Sequence, residues 1–466
     1  MNPFLNPKMM FKFVNSYYFH PNRIKRLSPK KIEKLQNKKL KRILSYANTI
    51  PVYRNKFKKA GINLSDIHGI KDIVKLPYIS KKDIMDNFPD NIIPHNFDKS
   101  KAQIISTSGS TGKPISFYTD FDTMIDTMGA TLRILDSFNL NWKKSKWAHI
   151  GNYSPGKADS AAENLFFENA RAFRSLNNYL PMNAFDPIPE IIEKLNNFQP
   201  EMIISYPQTF QQLAIHKKHG KAEKLNPKVL ASGGYILDDY TKTYVEEAFK
   251  CKMLNVYASA ESEADVAFQC FEGTWHINYD FFYIEAIDDN LEVVGPEERG
   301  HVLMTRLFGK GTPFIRYTGM DDWVTIVPEY ECDCGLCTPI FKNGVEGRLG
   351  SSVILPDGRV FPSASFAILS VVLNELNTRK VSQFQIIQKK IDEIDILLVI
   401  DEQLRDKDPR NDILFKKIKE VYEKKVGPDV KINIKEVKEI KTAPGKPMPL
   451  VISNVKPEEG FRIVDK

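Results

Sequence analysis

The 466 residues suffice for two or three domains with a large core. Apolar residues make up 42% and charged residues 27%, as is ordinary for a soluble globular protein, and no apolar run approaches the length of a helical membrane span. Lys and Arg number 66 against 58 Asp and Glu, a net charge of +8 that suits a solvated surface or a small polyanion as well as nucleic acid.

The opening MNPFLNPKMMFKFVNSYYFH is aromatic but interrupted by Asn, Pro and Lys, unlike the core of a signal peptide. The cytoplasm is therefore the expected compartment. The densest positive charge follows, between Arg23 and Arg42. Ser28 and Pro29 supply a capping hydroxyl and a first-turn proline, and Ile32, Leu35, Leu40, Ile43, Leu44 and Ala47 recur at helical spacing. The lysines then form the outer face of an amphipathic helix, and no nucleic-acid partner is expected. Helical patterns fill the first hundred residues and end near the turn-rich LPYISKKDIMDNFPD.

From Gln103 to about Val345, short apolar strand candidates (WAHIGNY, EMIISYP, KVLASGG, KMLNVYAS, FYIEAI, HVLMTRL) alternate with helices. This predicts α/β layering with a mostly parallel sheet and an antiparallel part near its end. After Gly347 the pattern reads strand (VILPDGRVF), helix (SFAILSVVLNEL), strand (VSQFQIIQK), strand (EIDILLVI), helix (NDILFKKIKEVYEKKV), strand (KINIKEV). The expected fold class is α/β: a large multi-layer α/β N-terminal domain over 1–346, followed by a small α+β C-terminal domain over 347–466.

Five cysteines without a secretory signal do not suggest a disulfide framework. Cys332, Cys334 and Cys337 sit in CDCGLC, and Cys270 and His276 lie upstream in FQCFEGTWHINY. Cys332 and Cys334 with Cys270 and His276 would complete a Cys₃His zinc set, with Cys337 a substitute for any one of them. The other reading is small buried apolar residues around a core histidine.

STSGSTGKPISF, Ser106 to Phe117, has the glycine, hydroxyl and lysine content of a phosphate-binding loop. It is not a P-loop: only Ser110 and Thr111 separate Gly109 from Gly112, and Pro114 stands where Lys113 should be followed by a hydroxyl. Gln103-Ile104-Ile105 before it and Ile115-Ser116-Phe117-Tyr118 after it read as strands. The expected structure is strand, loop, strand, with the loop either wrapping an anion through hydroxyls and backbone N–H groups or forming a polar hairpin turn.

Taken in order, STSGSTGKP, ASGGY, VYASAESE, FIRYTGMDD, VEGRLG and TAPGKP resemble the motif set of the adenylate-forming superfamily of acyl-CoA synthetases, adenylation domains and luciferases. Within it the chain is most similar to the phenylacetate–CoA ligase branch, which includes capsular polysaccharide biosynthesis proteins and deazaflavin-adenylylating enzymes. The resemblance runs from about residue 30 to about residue 455. It implies an enzyme that activates a small-molecule carboxylic acid with ATP and Mg²⁺ as an acyl-adenylate, then passes the acyl group to a thiol, commonly that of coenzyme A, or to an amine. It also implies that the small C-terminal domain is mobile.

The same resemblance assigns roles. Ser108, Gly109, Ser110, Thr111, Gly112 and Lys113 would hold the β- and γ-phosphates, and Glu261 the Mg²⁺. Tyr257 would lie against adenine, with Ser232, Gly233 and Gly234 letting the base approach the backbone. Asp321 would accept from the ribose hydroxyls, Arg348 would contact nucleotide near the hinge, and Lys446 would reach the α-phosphate. The acid pocket is expected between Tyr118 and Tyr257, with Trp147, Tyr153 and Tyr206 as lining. In the branch, the paired CDCG cysteines can hold a structural metal. The chain departs from the pattern at Ala258, Ala260, Gly350-Ser351, Pro447, Met448 and Pro449. Two other readings are a nucleotidyl transferase acting on a deazaflavin-type cofactor and a nucleotide-binding scaffold without turnover. Oligomeric state is not readable.

Overall fold

The computed structural model describes residues 2–19, 21, 23–107, 114–172, 176–441, 448–455 and 462–463. The chain divides into two compact units, one of Met1–Asn183 with Leu254–Gly344, the other of Ala184–Met253 with Val345–Lys466. Among the described residues no helix is long and apolar enough to cross a membrane.

The first unit opens with helices Pro7–Phe19, Pro29–Ala47 and Pro51–Lys59. In the basic helix Ile32, Leu40, Ile43, Leu44 and Ala47 are buried, as their spacing requires, whereas Leu35 is half-buried and Gln36 is inside. Gln36 satisfies itself by donating to the Tyr279 carbonyl at 2.5 Å. Ser28 stands at the N-cap but its hydroxyl makes no capping bond. The turn-rich LPYISKKDIMDNFPD instead contains a helix, Lys81–Asn87, started by a reciprocal capping box between Ser80 and Asp83.

Strands β1 (Ala102–Ser106) and β2 (Ser116–Asp120) pair antiparallel from Ala102↔Asp120 to Ser106↔Ser116, so the strand–loop–strand expectation holds at both flanks. The loop residues Ser108, Gly109, Ser110, Thr111, Gly112 and Lys113 lie outside the described residues. After helix Phe121–Ser137 come β3 (Trp147–Gly151) and β4 (Tyr179–Asn183), which are parallel.

The rest of this unit is the antiparallel part expected near the end of the sheet, and it is more extensive than a mostly parallel sheet would have. β7 (Lys252–Tyr257), β8 (Ala267–Gln269) and β9 (Trp275–Ile277) pair antiparallel in turn, as do β10 (Phe282–Ile287), β11 (Arg299–Arg306), β12 (Trp323–Val327) and β13 (Ile340–Phe341), with β13 closing on β9. Several of their connections are too short for a crossover helix, which leaves hairpins as the only solution. Asp280 anchors the N-terminal helices to this ladder: Arg133 meets both its oxygens, at 2.8 and 2.9 Å, and Arg23 donates to Oδ2 at 2.6 Å. Burial alone would raise the Asp280 pKa, but the two guanidiniums hold it well below the usual carboxylate range.

In the second unit β5 (Met202–Ser205) and β6 (Val229–Ser232) are parallel, with helices Pro207–Lys218 and Asp239–Phe249 following them in the chain. Its C-terminal part holds a four-stranded sheet made of three strands expected from the tail and one that is not: β16 (Val381–Lys390) and β17 (Glu393–Ile400) are antiparallel, with β18 (Lys431–Glu436) and the unexpected β19 (Val451–Ser453) parallel on the two edges. Helix Asn411–Val426 buries Leu414, Ile418, Tyr422 and Val426. Two expectations are corrected. VILPDGRVF is a hairpin, β14 (Val353–Ile354) and β15 (Arg359–Phe361), because Gly358 turns at φ +82°. SFAILSVVLNEL breaks at Ala367 and Ile368 into Ser363–Phe366 and Leu369–Glu375.

Candidate active site

The antiparallel ladder delivers a buried polar centre to one place in the first unit. β7 ends on Tyr257, whose hydroxyl donates to Asp322 Oδ2 at 2.6 Å. Four residues after Tyr257, the buried Glu261 accepts at Oε1 from the Tyr317 hydroxyl at 3.1 Å. Tyr317 is itself fixed by two backbone bonds with Met304, at 2.9 and 3.1 Å. Segment 317–322 therefore holds both Tyr257 and Glu261.

Two further residues set this geometry. Arg306 is completely buried and donates to the Glu261 carbonyl at 3.3 Å, to the Thr312 carbonyl at 2.7 Å and to the Glu263 carboxylate, pinning the loop after β7. Glu263 bends the loop back at φ +55°. Gly319 has no such torsion, yet a Cβ there would overlap Oη and Cζ of Tyr317, so only glycine lets the tyrosine reach Glu261.

The adjacent aspartates are sorted by the backbone. Asp322 is buried against Tyr257, whereas Asp321, at φ +46°, remains a third exposed and lies 3.8 Å from the Lys81 ammonium. Tyr317, Asp322 and Arg306 have no role in the sequence analysis. All three lie inside the quoted stretches FIRYTGMDD and HVLMTRL, but nothing in their spacing separates them from core residues.

The mouth of the Ser/Thr/Gly loop is fixed as well. The Ser106 N–H donates to the Gly156 carbonyl at 2.7 Å, Lys157 donates to the Ser106 carbonyl at 3.1 Å, and the Ile115 N–H reaches Thr107 Oγ1 at 3.1 Å. Residues 152–157 thus run beside the loop's start. From them a polar chain leads inward: His149 Nδ1 to the Tyr153 hydroxyl at 2.7 Å, and that hydroxyl to the Tyr179 hydroxyl at 2.9 Å. Burial pushes both phenols up, so they stay neutral donors. Trp147 and Tyr179 also wall an apolar cavity of about 290 Å³ with Phe13, Tyr17, Phe166 and Phe167.

The second unit contains Ser232, Gly233, Gly234, Tyr206 and Arg348. Ser232 closes β6 opposite Ser205, and the Gly233 N–H donates to the Ser205 carbonyl at 3.0 Å. Gly234 turns at φ +77°, and a Cβ on it would stand 3.0 Å from the Tyr206 ring, so this position favours glycine by both backbone and packing. Burial raises the Tyr235 hydroxyl, and the Arg348 charge opposes this, which places Arg348 near that ring. Lys446 lies outside the described residues.

Of the five cysteines, Cys270, Cys332 and Cys334 converge with His276, all four ligand atoms lying within 4.8 Å of one another. Cys270 follows β8, His276 sits in β9, and the two others come from the loop before β13, whose Ile340 pairs with His276. Cys270 Sγ and Cys332 Sγ are 3.8 Å apart, and Cys334 Sγ is 3.2 Å from His276 Nε2. His276 Nδ1 is held by the Thr338 hydroxyl at 2.8 Å, leaving Nε2 for the sulfurs. Burial pushes His276 down to about 4, which keeps the imidazole neutral. Cys337 and Cys251 do not belong to this set.

Residues 365–454 match the family model of the CapK C-terminal domain. The chain is 25% identical to Protein CapK of Staphylococcus aureus over 96% of its own length and 94% of that protein. It is 25% identical to phenylacetate-coenzyme A ligase of Thermus thermophilus over 74% of its length and 77% of the relative. To the Escherichia coli phenylacetate-coenzyme A ligase it is 26% identical over 73% and 76%. Among solved structures, 2-hydroxyisobutyryl-CoA ligase in complex with 2-HIB-AMP superimposes with a TM-score of 0.76 at 18% identity, covering 92% of this chain and 91% of the other, a shared fold.

Proposed function

We propose that this chain, which belongs to the phenylacetate–CoA ligase-like branch of the adenylate-forming superfamily, is an AMP-forming acid–CoA ligase. A carboxylate oxygen attacks the α-phosphorus of ATP, pyrophosphate leaves, and the thiol of coenzyme A then displaces AMP from the acyl-adenylate. The observation that carries the reading is the buried Glu261 carboxylate, held by Tyr317 and set four residues after a strand-end tyrosine tied to Asp322.

A carboxylate in that position suits Mg²⁺, which prefers carboxylate and phosphate oxygens and would neutralise charge on the leaving pyrophosphate. Tyr317 orients the carboxylate and occupies one oxygen's lone pair, leaving the rest for the ion. Asp321, rather than the engaged Asp322, is the acceptor for the ribose hydroxyls. Ser108 through Lys113 hold the β- and γ-phosphates, Ser232, Gly233 and Gly234 with Tyr257 take the adenine, and Arg348 contacts the nucleotide. Lys446 stabilises charge at the α-phosphate, an electrostatic contribution that is often the largest in such reactions. His149, Tyr153 and Tyr179, beside the loop's mouth, are the polar side of the acid pocket, a role supported by their neutral hydroxyls and the aromatic wall behind them.

Zinc is the second part of the proposal. A tetrahedron with Zn–S bonds of about 2.3 Å has sulfur–sulfur edges of about 3.8 Å, the separation of Cys270 and Cys332. Thr338 on His276 supplies the outer hydrogen bond that such a ligand needs. An ion held there would be structural, with Cys270 and His276 on the β8–β9 hairpin and Cys332 and Cys334 from the loop before β13 as its ligands.

The test is pyrophosphate–ATP exchange against a panel of aryl, fatty, amino and hydroxy acids, followed by thioester formation with coenzyme A, with zinc determined on the same preparation. Exchange with one acid class and thioester formation are expected. ATP binding with no exchange for any acid would reject the ligase reading.

A further inference from the structure

Helix Pro7–Phe19 is pinned to the body by one side and bare on the other. On the inner side Lys12 bridges Asp122 at 2.9 Å and Asp126 at 2.7 Å, and Phe13 and Tyr17 pack against Phe166. On the outer side lie Phe11 (75% exposed), Val14 (42%) and Tyr18 (55%), spaced i, i+3, i+7 along one stripe, flanked by Leu5 (60%) and Phe19 (52%). Single exposed apolar residues are ordinary; a helical stripe of them is not.

Positive charge predominates around that stripe. The first fifty residues contain twelve Lys and Arg and a single acid, Glu33, an excess larger than the whole chain's net +8. Three of the twelve are engaged inside, Lys12, Arg23 and Lys39. The exposed ones include Lys8 on the stripe itself, Lys25 and Arg26, and then Lys30, Lys31, Lys34, Lys38, Lys41 and Arg42 on the outer face of helix Pro29–Ala47. Arg26 lies over the Phe19 ring at 5.6 Å, and Lys143 lies over the Tyr18 ring at 4.4 Å while donating to its hydroxyl at 2.8 Å. Arg42 and Lys12 both face Asp122, so the basic helix and the apolar stripe are tied to one point of helix Phe121–Ser137. Val14 and Tyr18 also belong to the wall of the 290 Å³ apolar cavity, which places an apolar recess beside the stripe.

Aromatic side chains on the outer helix face and long cationic side chains around them, with Asp122 and Asp126 held by Lys12 on the inner side and Asp136 beside Lys25, form the pattern of a helix that lies in a lipid–water interface. Nucleic acid would use the cations but not Phe11 and Val14, and a second copy of the chain would have to bring one basic face against another. We infer that this face docks the protein peripherally on an anionic bilayer surface, with Phe11, Val14, Tyr18 and Phe19 among the acyl chains and the lysines at the phosphates. The inference does not depend on the ligase reading.

Full-length protein is pelleted with vesicles of pure phosphatidylcholine and of phosphatidylcholine containing one third phosphatidylglycerol. Binding is expected only to the anionic vesicles and should weaken as salt rises from about 0.05 to about 0.5 M. Phe11→Ser with Phe19→Ser, both outside the cavity wall, should lower the partition coefficient about tenfold while leaving thermal unfolding and pyrophosphate–ATP exchange unchanged. Lys30→Gln with Lys31→Gln, Lys34→Gln and Lys38→Gln should lower it and flatten the salt dependence. Three results would each overturn the inference: no pelleting with anionic vesicles at low salt, pelleting that survives the serine pair intact, or a wild-type dimer that the serine pair converts to monomer.

Discussion

The Cys₃His cluster and the Glu261 centre are built by the same antiparallel ladder, from neighbouring stretches of chain, and they differ in what each asks of it. The cluster draws its ligands from 270–276 and 332–334 and needs only that two hairpins close on each other, which the Ile340↔His276 pairing provides. The Glu261 centre draws on 257–261 and 317–322 and needs a tyrosine hydroxyl delivered within 3.1 Å of one carboxylate, through a glycine that admits it. The first is a staple that tolerates small adjustments. The second is a positioned polar site, in which the backbone turn at Asp321, φ +46°, leaves that carboxylate partly exposed and sets Asp322 on the Tyr257 hydroxyl.

That contrast can be broken or sharpened by mutation. The largest effect is expected from Lys446→Ala, which should lower the rate of adenylate formation by about 10² to 10³ while leaving ATP binding within a few-fold, measured by exchange kinetics and calorimetry. Unchanged exchange would reject the assignment of this lysine. Cys334→Ala should abolish stoichiometric zinc and cost about 3–5 kcal/mol of stability in urea unfolding, with the exchange rate of the remaining folded protein little altered. If exchange falls as far as it does for Lys446→Ala, the cluster is not merely a staple.

Gly319→Ala comes next. Its methyl group displaces the Tyr317 ring, so it should reduce Mg²⁺-dependent exchange by about ten- to a hundredfold, the equivalent of 1.4–2.7 kcal/mol, with the zinc content intact. Tyr317→Phe removes only the hydroxyl and should cost about tenfold, read as a higher Mg²⁺ requirement, since one hydrogen bond to a carboxylate contributes roughly 1.5–3 kcal/mol before water replaces it. A Tyr317→Phe loss larger than that of Gly319→Ala would mean the hydroxyl contacts substrate directly.

Legibility followed rarity. Cysteine and histidine are few in this chain, so four of them near one another by sequence motif already suggested the set that the structure assembles, and the neutral, Thr338-bound His276 agrees. Carboxylates are many, and Glu261 and Asp321 stood out only through resemblance to a motif family. Tyr317 and Asp322 adjoin them in the sequence, but nothing local says that one orients Glu261 and the other receives Tyr257. Helix spans such as Asn411–Val426 were legible to the residue, because a 3.6-residue period has no competing explanation there. Strand direction was legible only as an antiparallel part near the end of the sheet and not in its extent, because an apolar strand of four to six residues reads alike in either orientation and its partner is chosen by connection length and packing.

By itself, then, the sequence determined the α/β class, the strand–loop–strand frame of the Ser/Thr/Gly loop, the basic amphipathic helix and the residues able to ligate zinc, because periodicity, turn chemistry and ligand type are local properties. Only the tertiary structure decided how far the antiparallel ladder extends, that Cys337 stands outside the cluster, that Asp322 turns inward while Asp321 stays partly exposed, and that the outer stripe of the first helix is exposed. Each of these depends on which distant segments share a neighbourhood, and that is set by the burial and pairing of the whole chain rather than by any window of it.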